Sequence, residues 1–345
     1  MSEAAANTPE NAGLRLPLLD GLRGLAALCV LLYHGHNLFH DDRWFAQGYL
    51  FVDFFFLLSG FVLTLAAEPK FASGLTTGQF MRGRLVRLWP TIAIGAALGA
   101  VVHSLLGGMD ALPLLALALL MIPSPWLSEH EIFPLNGPQW SLLWELVANL
   151  MHGLLLRRLS NFLLLVVAGF SGFLLIAMTF ASGHLAVGAP VSGWWWGFIR
   201  VFWTYPLGIW IARRYLAAPP RQVARWWIAL IAPIGFAIAL PFLPISQALG
   251  DMLFVIAGVP LLFWLALGAQ PPEHAVAALT WLGELSFPIY AVHLPLLRLF
   301  ASFSTSMPSR IAAYACAIAF AALLARVMKG GWTIAPSKLT FAPMT

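Results

Sequence analysis

Apolar segments about 20 residues long recur along the whole chain, and they constrain its fold more than any other feature. A helix of that length crosses the ~30 Å hydrocarbon core of a bilayer. Of the 345 residues, 60% are hydrophobic and only 10% are charged, proportions far from those of soluble domains. The sequence therefore predicts an all-α, polytopic membrane helical bundle, and it leaves no stretch for an additional soluble domain.

Ten apolar segments are predicted to span the membrane. A further apolar run, 111–122, has only about a dozen residues and is bordered by prolines, so it is too short to cross. We predict a short re-entrant or interfacial helix there, with a tilted, half-inserted helix as the alternative. The ten predicted spans are 18–39, 48–66, 88–106, 139–156, 162–181, 194–211, 226–245, 252–269, 281–300 and 311–327.

The distribution of Lys and Arg sets the expected orientation. Basic residues follow the second, fourth and sixth predicted spans. Because cytoplasmic loops carry an excess of Lys and Arg, this pattern predicts that both chain ends lie inside. The expected organisation is a cytoplasmic tail over 1–16, a membrane domain over 17–328 and a second cytoplasmic tail over 329–345. The net charge of +5 fits anionic lipid headgroups better than it fits nucleic acid.

The first span carries Arg23 and His34, two residues that are costly to place in hydrocarbon. A charge at the bilayer centre costs at least ~2.5 kcal/mol, so such residues indicate a functional site, with a structural polar network between helices as the alternative. At ~100° per residue the two share a face and lie roughly 16 Å apart along the helix. Asp20 lies one turn before Arg23, within reach of an ion pair.

The fourth span opens with a polar stripe. Ser141, Glu145, Asn149 and His152 recur at helical spacing, which places them on one face of an otherwise apolar helix. By the expected topology Glu145 lies about as deep as His34, so we predict that the two meet across the bundle. A carboxylate that orients an imidazole is the arrangement needed for general-base catalysis on a hydroxyl.

Charged residues near other span ends have two interpretations each. Asp53, in the second span, is a second candidate partner for His34, or a polar residue that caps the span. Arg84 and Arg87 are i, i+3 neighbours that suit phosphate binding, although basic residues are ordinary at an inner boundary. Arg200 lies just inside a tryptophan-rich outer boundary, where it either contacts an anionic substrate or extends to the interface.

The ninth span combines a polar face with prolines. Ser286, Tyr290 and His293 recur at helical spacing, while Pro288 and Pro295 interrupt the backbone hydrogen bonds. Kinked helices of this kind line cavities more often than they face lipid, so these side chains are candidates for substrate contact. A plain hydrogen bond between helices is the alternative for His293.

Several motifs in order along the chain resemble those of one family. "LDGLRGLAALCVLLYH" has an R-x10-H spacing, "RLVRLWP" reads R-x-x-R-x-x-P, "WSLLWE" reads W-S-L-x-x-E, and "VDFFFLLSGFVL" and "LGELSFPIYAVHLPLL" complete the set. The chain thereby resembles membrane acyltransferase family 3, integral membrane O-acyltransferases that modify bacterial glycans. The last motif departs from the family pattern, because Phe287 and Pro288 replace a Tyr and a Ser.

The resemblance implies a ten-span bundle in the bacterial cytoplasmic (inner) membrane. It also implies an acyl-CoA donor used from the cytoplasm and an acceptor hydroxyl, usually on a sugar. The family's functional residues correspond here to the Arg and His of the first span, the arginine pair of the third and the W-S-L-x-x-E glutamate of the fourth. In this chain they are Arg23, His34, Arg84, Arg87 and Glu145.

We therefore expect an O-acyltransferase, with acetyl as the preferred acyl group. His34 would be oriented by Glu145 or Asp53 and act either as general base or as a transient acyl carrier. Acetyl-CoA would be a co-substrate rather than a tightly bound cofactor, and no metal is expected. The residues predicted to bind CoA phosphates are Arg23, Arg84 and Arg87, and those predicted to contact substrate are Ser141, Tyr290, His293 and Arg200.

A transporter or flippase for a small or lipid-linked solute is the alternative class. Intramembrane His, Glu and Arg near the midplane are also typical of transporters. Transporters commonly contain an internal repeat, which this sequence does not show. Consumption of acyl-CoA is the observation that separates the two classes.

Overall fold

The computed structural model describes residues 16–40, 43–221 and 225–331. Within these ranges the protein is helical, and its only β-type pairing is an isolated bridge between Glu131 and Pro190. The all-α bundle expected from sequence is confirmed. The helices are α1 (Pro17–Phe39), α2 (Phe51–Ala72), α3 (Thr77–Leu105), α4 (Ala111–Leu119), α5 (Gln139–Leu154), α6 (Asn161–Ser182), α7 (Trp196–Ala217), α8 (Trp226–Ala239), α9 (Gln247–Met252), α10 (Val259–Leu267), α11 (Glu273–Phe303) and α12 (Met307–Gly331).

Every predicted span coincides with a helix, but the helices are not equally suited to crossing a bilayer. Among the described residues, 7 helical segments are long and apolar enough to do so: α1, α2, α3, α6, the continuous run α9–α10, α11 and α12. The helices α5 and α8 have only 16 and 14 residues. The 22-residue α7 is long enough, but its Arg, Tyr and Trp side chains make it less apolar. The count of ten spans therefore stays a prediction.

The short apolar run forms α4, a helix of 9 residues. This is well below the ~20 residues that a membrane crossing needs, so the expectation of a short helix here is confirmed, while its position relative to the bilayer stays a prediction. The predicted tails over 1–16 and 329–345 lie almost wholly outside the described residues.

The helix α1 packs parallel to α11 and antiparallel to α12, which gives the bundle two distinct ends. Near the start of α1, the Nη2 of Arg23 donates to the carbonyl of Gly283, in the first half of α11, at 2.7 Å. Near the end of α1, the ring of His34 lies beside that of His293, further along α11. Near the end of α1, Gly35 packs against Tyr314, which lies near the start of α12. We call the end that carries Arg23, Arg84 and Arg213 the basic side, and the end that carries segments 120–138 and 183–195 the loop side.

Close packing between α2 and α7 depends on two glycines. A Cβ added to Gly60 would lie 2.2 Å from the carbonyl oxygen of Tyr205, and one added to Gly208 would lie 2.2 Å from the carbonyl oxygen of Leu57. Small residues let helix backbones approach closely in membrane bundles. The two glycines therefore hold α2 and α7 at a separation that a side chain would increase.

Pro295 interrupts α11 and leaves a carbonyl free inside the bundle. Proline has no backbone N–H, so the carbonyl of Ala291, four residues earlier, lacks its helical partner. Asn136, in the segment before α5, donates from its Nδ2 to this oxygen at 2.8 Å. The interruption thereby fixes the loop-side segment onto α11.

A π-helical turn, Leu253–Gly258, joins α9 to α10. In a π-helix the carbonyl of residue i accepts a hydrogen bond from the N–H of residue i+5, so the carbonyl of Val255 would pair with residue 260. That residue is Pro260, which has no backbone N–H. The indole of Trp203, on α7, donates to that carbonyl at 3.2 Å instead. Since backbone polar groups in a membrane must be satisfied within the protein, this bond compensates for the irregular turn.

We expect Gly60→Ala and Gly208→Ala to lower the midpoint temperature of unfolding, because either methyl group must push the two helices apart. Overpacking of this kind costs about 1–3 kcal/mol. The control is Gly169→Ala on α6, where a Cβ meets open space. Tryptophan fluorescence of the detergent-purified variants during heating measures the difference, and equal midpoints for all three would contradict the packing argument.

Candidate active site

A cavity of about 230 Å³ lies at the loop side, and His34 forms part of its wall. The cavity is bounded by α1, α2, α5, α7 and α11 and by both loop-side segments. Its lining mixes aromatic rings with polar groups, as expected for a site that binds a small polar molecule. The polar and aromatic lining residues are Tyr33, His34, Asn37, Tyr49, Glu131, Trp140, Arg200, Tyr290 and Arg298.

Two loop-side segments cover the cavity and are joined through their backbones. The amide of Ile132 donates to the carbonyl of Ala189 at 3.0 Å, and the amide of Val191 donates to the carbonyl of His130 at 3.0 Å. These bonds flank the bridge between Glu131 and Pro190. The cavity therefore has a roof held by main-chain hydrogen bonds.

His34 is half-buried and lies beside the ring of His293. Their ring centroids are 5.1 Å apart, with the planes inclined at 41°. His293 is fully buried on α11, and its Nδ1 lies 2.9 Å from the carbonyl oxygen of Ile289. The structure thus brings together two residues that the sequence placed on different spans, one predicted to be catalytic and one to contact substrate.

Ser141 and Tyr290, both predicted to contact substrate, are hydrogen bonded to each other. Their hydroxyl oxygens are 2.6 Å apart, across the contact between α5 and α11. Both also contact the carbonyl of Pro138, Ser141 at 3.1 Å and Tyr290 at 3.3 Å. Tyr290 reaches the cavity, whereas Ser141 is buried and positions the tyrosine hydroxyl.

Asp53 and Arg200 form an ion pair that is almost completely shielded from solvent. The Nη2 of Arg200 donates to Oδ2 of Asp53 at 2.5 Å, with side-chain exposures of 1% and 0%. Its Nε donates to Oδ1 of Asp53 at 3.4 Å, and its Nη groups also donate to the carbonyls of Tyr49, Leu185 and Val187. Of the two interpretations of Arg200, extension to the interface does not fit this burial, because its partners hold it inside the bundle at the cavity wall. Its contact with substrate stays a prediction.

The predicted meeting of His34 with a carboxylate does not occur in this structure. Oε1 of Glu145 accepts hydrogen bonds at 2.7 Å from Nη2 of Arg84 and from the hydroxyl of Ser59. Asp53 is committed to Arg200. Glu145 and Asp53 are thus paired with arginines and not with the imidazole of His34. A guanidinium stabilises a buried carboxylate through charge-assisted hydrogen bonds.

Three arginines gather at the basic side. Arg23 lies 3.8 Å from Asp20, as the sequence spacing suggested, and it interacts electrostatically with Glu145 and Arg84. Arg87 is exposed and interacts electrostatically with Arg84 and Arg23. The Nε atoms of Arg23 and Arg84 are buried and have no hydrogen-bond partner in the described part of the chain. The cluster therefore retains unused donors suited to an anion.

The rest of the polar stripe on α5 has a structural role at the basic side. The hydroxyl of Tyr205 donates to Oδ1 of Asn149 at 2.9 Å and lies 3.0 Å from Nδ1 of His152. His152 also approaches Glu68 at 3.4 Å, and Glu68 is bound by Arg213 at 3.0 Å. These contacts join α2, α5 and α7 below the cavity.

Sequence reasoning missed Glu131 and Arg298 as cavity residues. The Nη2 of Arg298 donates to Oε2 of Glu131 at 2.7 Å, and its Nη1 donates to the carbonyl of Pro134 at 2.6 Å. The sequence did contain a signal for Arg298. This arginine lies at the predicted outer end of the span 281–300, whereas the positive-inside rule favours basic residues at the inner end. Such an exception indicates a role in binding or in fixing a loop.

Comparison with known proteins identifies the family. The sequence profile of a family described as an acyltransferase domain matches residues 16–328. The chain belongs to membrane acyltransferase family 3. Its match covers all the helices that form the cavity and the arginine cluster. Family 3 membership, together with the apolar helices, makes this chain an integral membrane protein of an acyl-transferring family.

Two of the following relatives carry acyltransferase names, in agreement with this family assignment. The chain is 28% identical to the acyltransferase MdmB of Streptomyces mycarofaciens over 330 residues, which is 83% of this chain and 80% of that protein. It is 36% identical over 156 residues to protein 2 in the picA locus of Rhizobium radiobacter, 40% of this chain and 81% of that protein. A 79-residue stretch is 35% identical to the O-acetyltransferase OatA of Staphylococcus aureus, covering 22% of this chain and 12% of OatA. No solved structure matches.

We expect Asp53→Asn to destabilise this family 3 protein by about 3–5 kcal/mol, because it leaves the charge of Arg200 buried without a counter-charge. The double variant Asp53→Asn, Arg200→Met should recover much of the loss, since it removes both charges. Glu284→Gln, which breaks the exposed pair with Lys329, is the control and should cost at most about 1 kcal/mol. Thermal unfolding measures all three, and an equal shift for the two single variants would refute the buried-pair argument.

Proposed function

We propose that this protein is an O-acyltransferase that moves an acyl group from acyl-CoA to a hydroxyl of a glycan or glycosylated acceptor. The observation that carries the proposal is that α1 holds His34 in a cavity at one end of the bundle and Arg23 in an arginine cluster at the other. The rise of a helix separates the two by roughly 16 Å. That length is of the order of an extended pantetheine arm. The CoA phosphates would therefore bind at the basic side while the acyl group is transferred at the loop side.

The basic side is proposed to bind the phosphates of the donor. Arg23, Arg84 and Arg87 supply guanidinium groups, and guanidinium binds phosphate through paired N–H donors. Arg84 is held by Glu145 at 2.7 Å, so donor phosphate would compete with this carboxylate for the same donors. By the positive-inside rule this side faces the cytoplasm, where acyl-CoA is made, and the membrane is the bacterial cytoplasmic membrane.

The loop-side cavity is proposed to bind the acceptor. Trp140, Tyr33 and Tyr49 offer aromatic faces, and Asn37 and the paired Glu131 offer hydrogen-bonding groups. The charges at the cavity are balanced, since Arg200 is paired with Asp53 and Arg298 with Glu131. A neutral polyhydroxylated molecule such as a sugar matches this combination of aromatic and hydrogen-bonding surface.

His34 is proposed to take the proton of the acceptor hydroxyl as the oxygen attacks the thioester carbonyl. Its half-buried ring lies at the cavity wall, where an acceptor hydroxyl and the end of the pantetheine arm would meet. A positioned base of this kind contributes about 10²–10⁴-fold to the rate. Transient acylation of His34 is the alternative route through the same residue.

We expect the protein in nanodiscs to consume radiolabelled acetyl-CoA, and His34→Ala to reduce this turnover by about 10²-fold or more while leaving folding intact. Arg84→Ala should raise the KM for acetyl-CoA, because it removes a phosphate ligand. Arg82→Ala, an exposed arginine on the same helix, is the control and should behave as wild type. Full activity of His34→Ala would refute the catalytic assignment. Solute uptake into vesicles without any acyl-CoA consumption would favour a transporter.

A second variant tests the acceptor cavity separately from the donor site. Ala186→Trp should fill the cavity beneath its roof and abolish acetyl transfer to a panel of methyl glycosides, measured by mass spectrometry of the sugars. Acetyl-CoA hydrolysis without acceptor should persist, because the substitution leaves both His34 and the arginines that bind the donor phosphates unchanged. Ala181→Trp, exposed at the end of α6, is the control. Unchanged transfer by Ala186→Trp would show that the acceptor binds elsewhere.

A further inference from the structure

The imidazole of His34 needs an acceptor for the N–H on its second nitrogen. A histidine that takes a proton in catalysis is held in one tautomer, and its charge is stabilised, by such an acceptor. The two carboxylates that the sequence offered are bound to Arg84 and Arg200. The third carboxylate at the cavity, Glu131, is bound to Arg298 at 2.7 Å. Asp251, behind the cavity residue Tyr49, is occupied as well, since it accepts hydrogen bonds from the Tyr49 hydroxyl, the Gln47 amide and the backbone N–H of Leu185. None of these four carboxylates is hydrogen bonded to His34 in the part of the chain that the structure describes.

His293 has an acceptor atom that is not in use. Its Nδ1 lies 2.9 Å from the carbonyl oxygen of Ile289. A carbonyl can only accept, so Nδ1 carries the hydrogen, and Nε2 of the neutral ring carries the lone pair. This Nε2 is buried and has no hydrogen-bond partner among the residues that the structure describes. An unsatisfied buried polar atom is unfavourable, so its position next to a catalytic candidate calls for an explanation.

The ring nearest to His293 is that of His34. The centroids are 5.1 Å apart, compared with 6.0 Å between His293 and Tyr290. Apart from this ring contact and a tilted contact with the neighbouring ring of Tyr33, the imidazole of His34 has no hydrogen bond or ion pair with the described residues. This centroid separation is short enough for a ring nitrogen of His34 to lie within hydrogen-bond distance of the free Nε2 when the two nitrogens point towards each other.

We propose that His293 is the positioning residue of His34, and that its Nε2 accepts the hydrogen bond from the N–H of the His34 imidazole. The inference rests on the proposed function, since it assigns His293 a role in the same transfer reaction. It replaces the expected carboxylate by a second imidazole whose tautomer is fixed by the backbone of α11. His293 then contacts His34 rather than the substrate.

The transfer step balances with this pair. The acceptor oxygen bonds to the thioester carbonyl carbon as its proton passes to the free nitrogen of His34. The carbon–sulfur bond then breaks, and that proton passes to the sulfur of CoA. The hydroxyl and the thioester thus become an ester and a thiol. Throughout, the other N–H of His34 stays bonded to His293, which stabilises the positive charge that His34 carries between the two proton transfers.

Two substitutions at His293 separate this role from a merely structural one. His293→Asn keeps an amide N–H at the position of Nδ1, so it preserves the bond to Ile289 but lacks an acceptor at the position of Nε2. His293→Gln does the reverse, since its longer side chain carries an amide oxygen to the position of Nε2. We expect His293→Asn to lower kcat for acetyl-CoA turnover by about 10²-fold with an unchanged KM. His293→Gln should retain most of the wild-type kcat.

Carbethoxylation of His34 by diethyl pyrocarbonate gives a readout that does not depend on the donor. The reagent acylates neutral imidazole, and an acceptor on the second nitrogen makes His34 a better nucleophile. Mass spectrometry should show slower labelling of His34 in His293→Asn than in the wild type or His293→Gln. The exposed His130 in the same molecules is the reference and should label equally in all three.

The outcomes of the two measurements are distinct. Equal labelling of His34 in all three proteins, or a kcat that falls with His293→Gln and not with His293→Asn, would overturn the role of His293. The expected labelling pattern in a protein that consumes no acyl-CoA would instead overturn the proposed function and leave the histidine pair standing.

Discussion

The architecture depends on how the protein satisfies one buried guanidinium. Arg200 sits inside the bundle, where an unpaired charge would be prohibitively unfavourable, and each of its bonds joins a different part of the chain. Asp53 connects it to α2, and the carbonyls of Leu185 and Val187 connect it to the segment that covers the cavity. Its guanidinium also lies 5.4 Å from the ring of Trp140 on α5. One side chain thereby fixes three walls and the roof of the same cavity.

Elsewhere in the bundle, buried charged groups are also paired with groups of opposite charge. This pairing makes the two ends of the bundle electrostatically different. Near the loop side, the ion pairs with Asp53 and Glu131 occupy the two cavity arginines, and His34 and His293 lie next to each other. Near the basic side, the arginines outnumber the carboxylates they contact, so donors remain available. The separation of a charge-balanced end from a cationic end suits the reaction proposed above, in which the donor is anionic and the acceptor is neutral.

The sequence carried enough information for the fold class, the helix positions and the family, because these follow from hydropathy and from motifs of several residues in order. The sequence did not indicate that Glu145 would accept hydrogen bonds from Arg84 and Ser59. Helical spacing shows which side chains share a face, but not which neighbouring helix that face meets or how far a long side chain such as Arg84 reaches. The same limit applied to His293: its i+7 spacing from Ser286 indicated a polar face, whereas its unused Nε2 follows from the bond to Ile289, which only the three-dimensional structure reveals.

The roof of the cavity has a consequence for how such a site diversifies. Its two segments are joined by main-chain hydrogen bonds between Ile132 and Ala189 and between Val191 and His130, and these bonds make no demand on side-chain identity. Residues that face the cavity from this roof, such as Ala186 and Val187, can therefore be exchanged during evolution without loosening it. The backbone provides a constant frame, and the shape of the cavity changes by substitution within that frame.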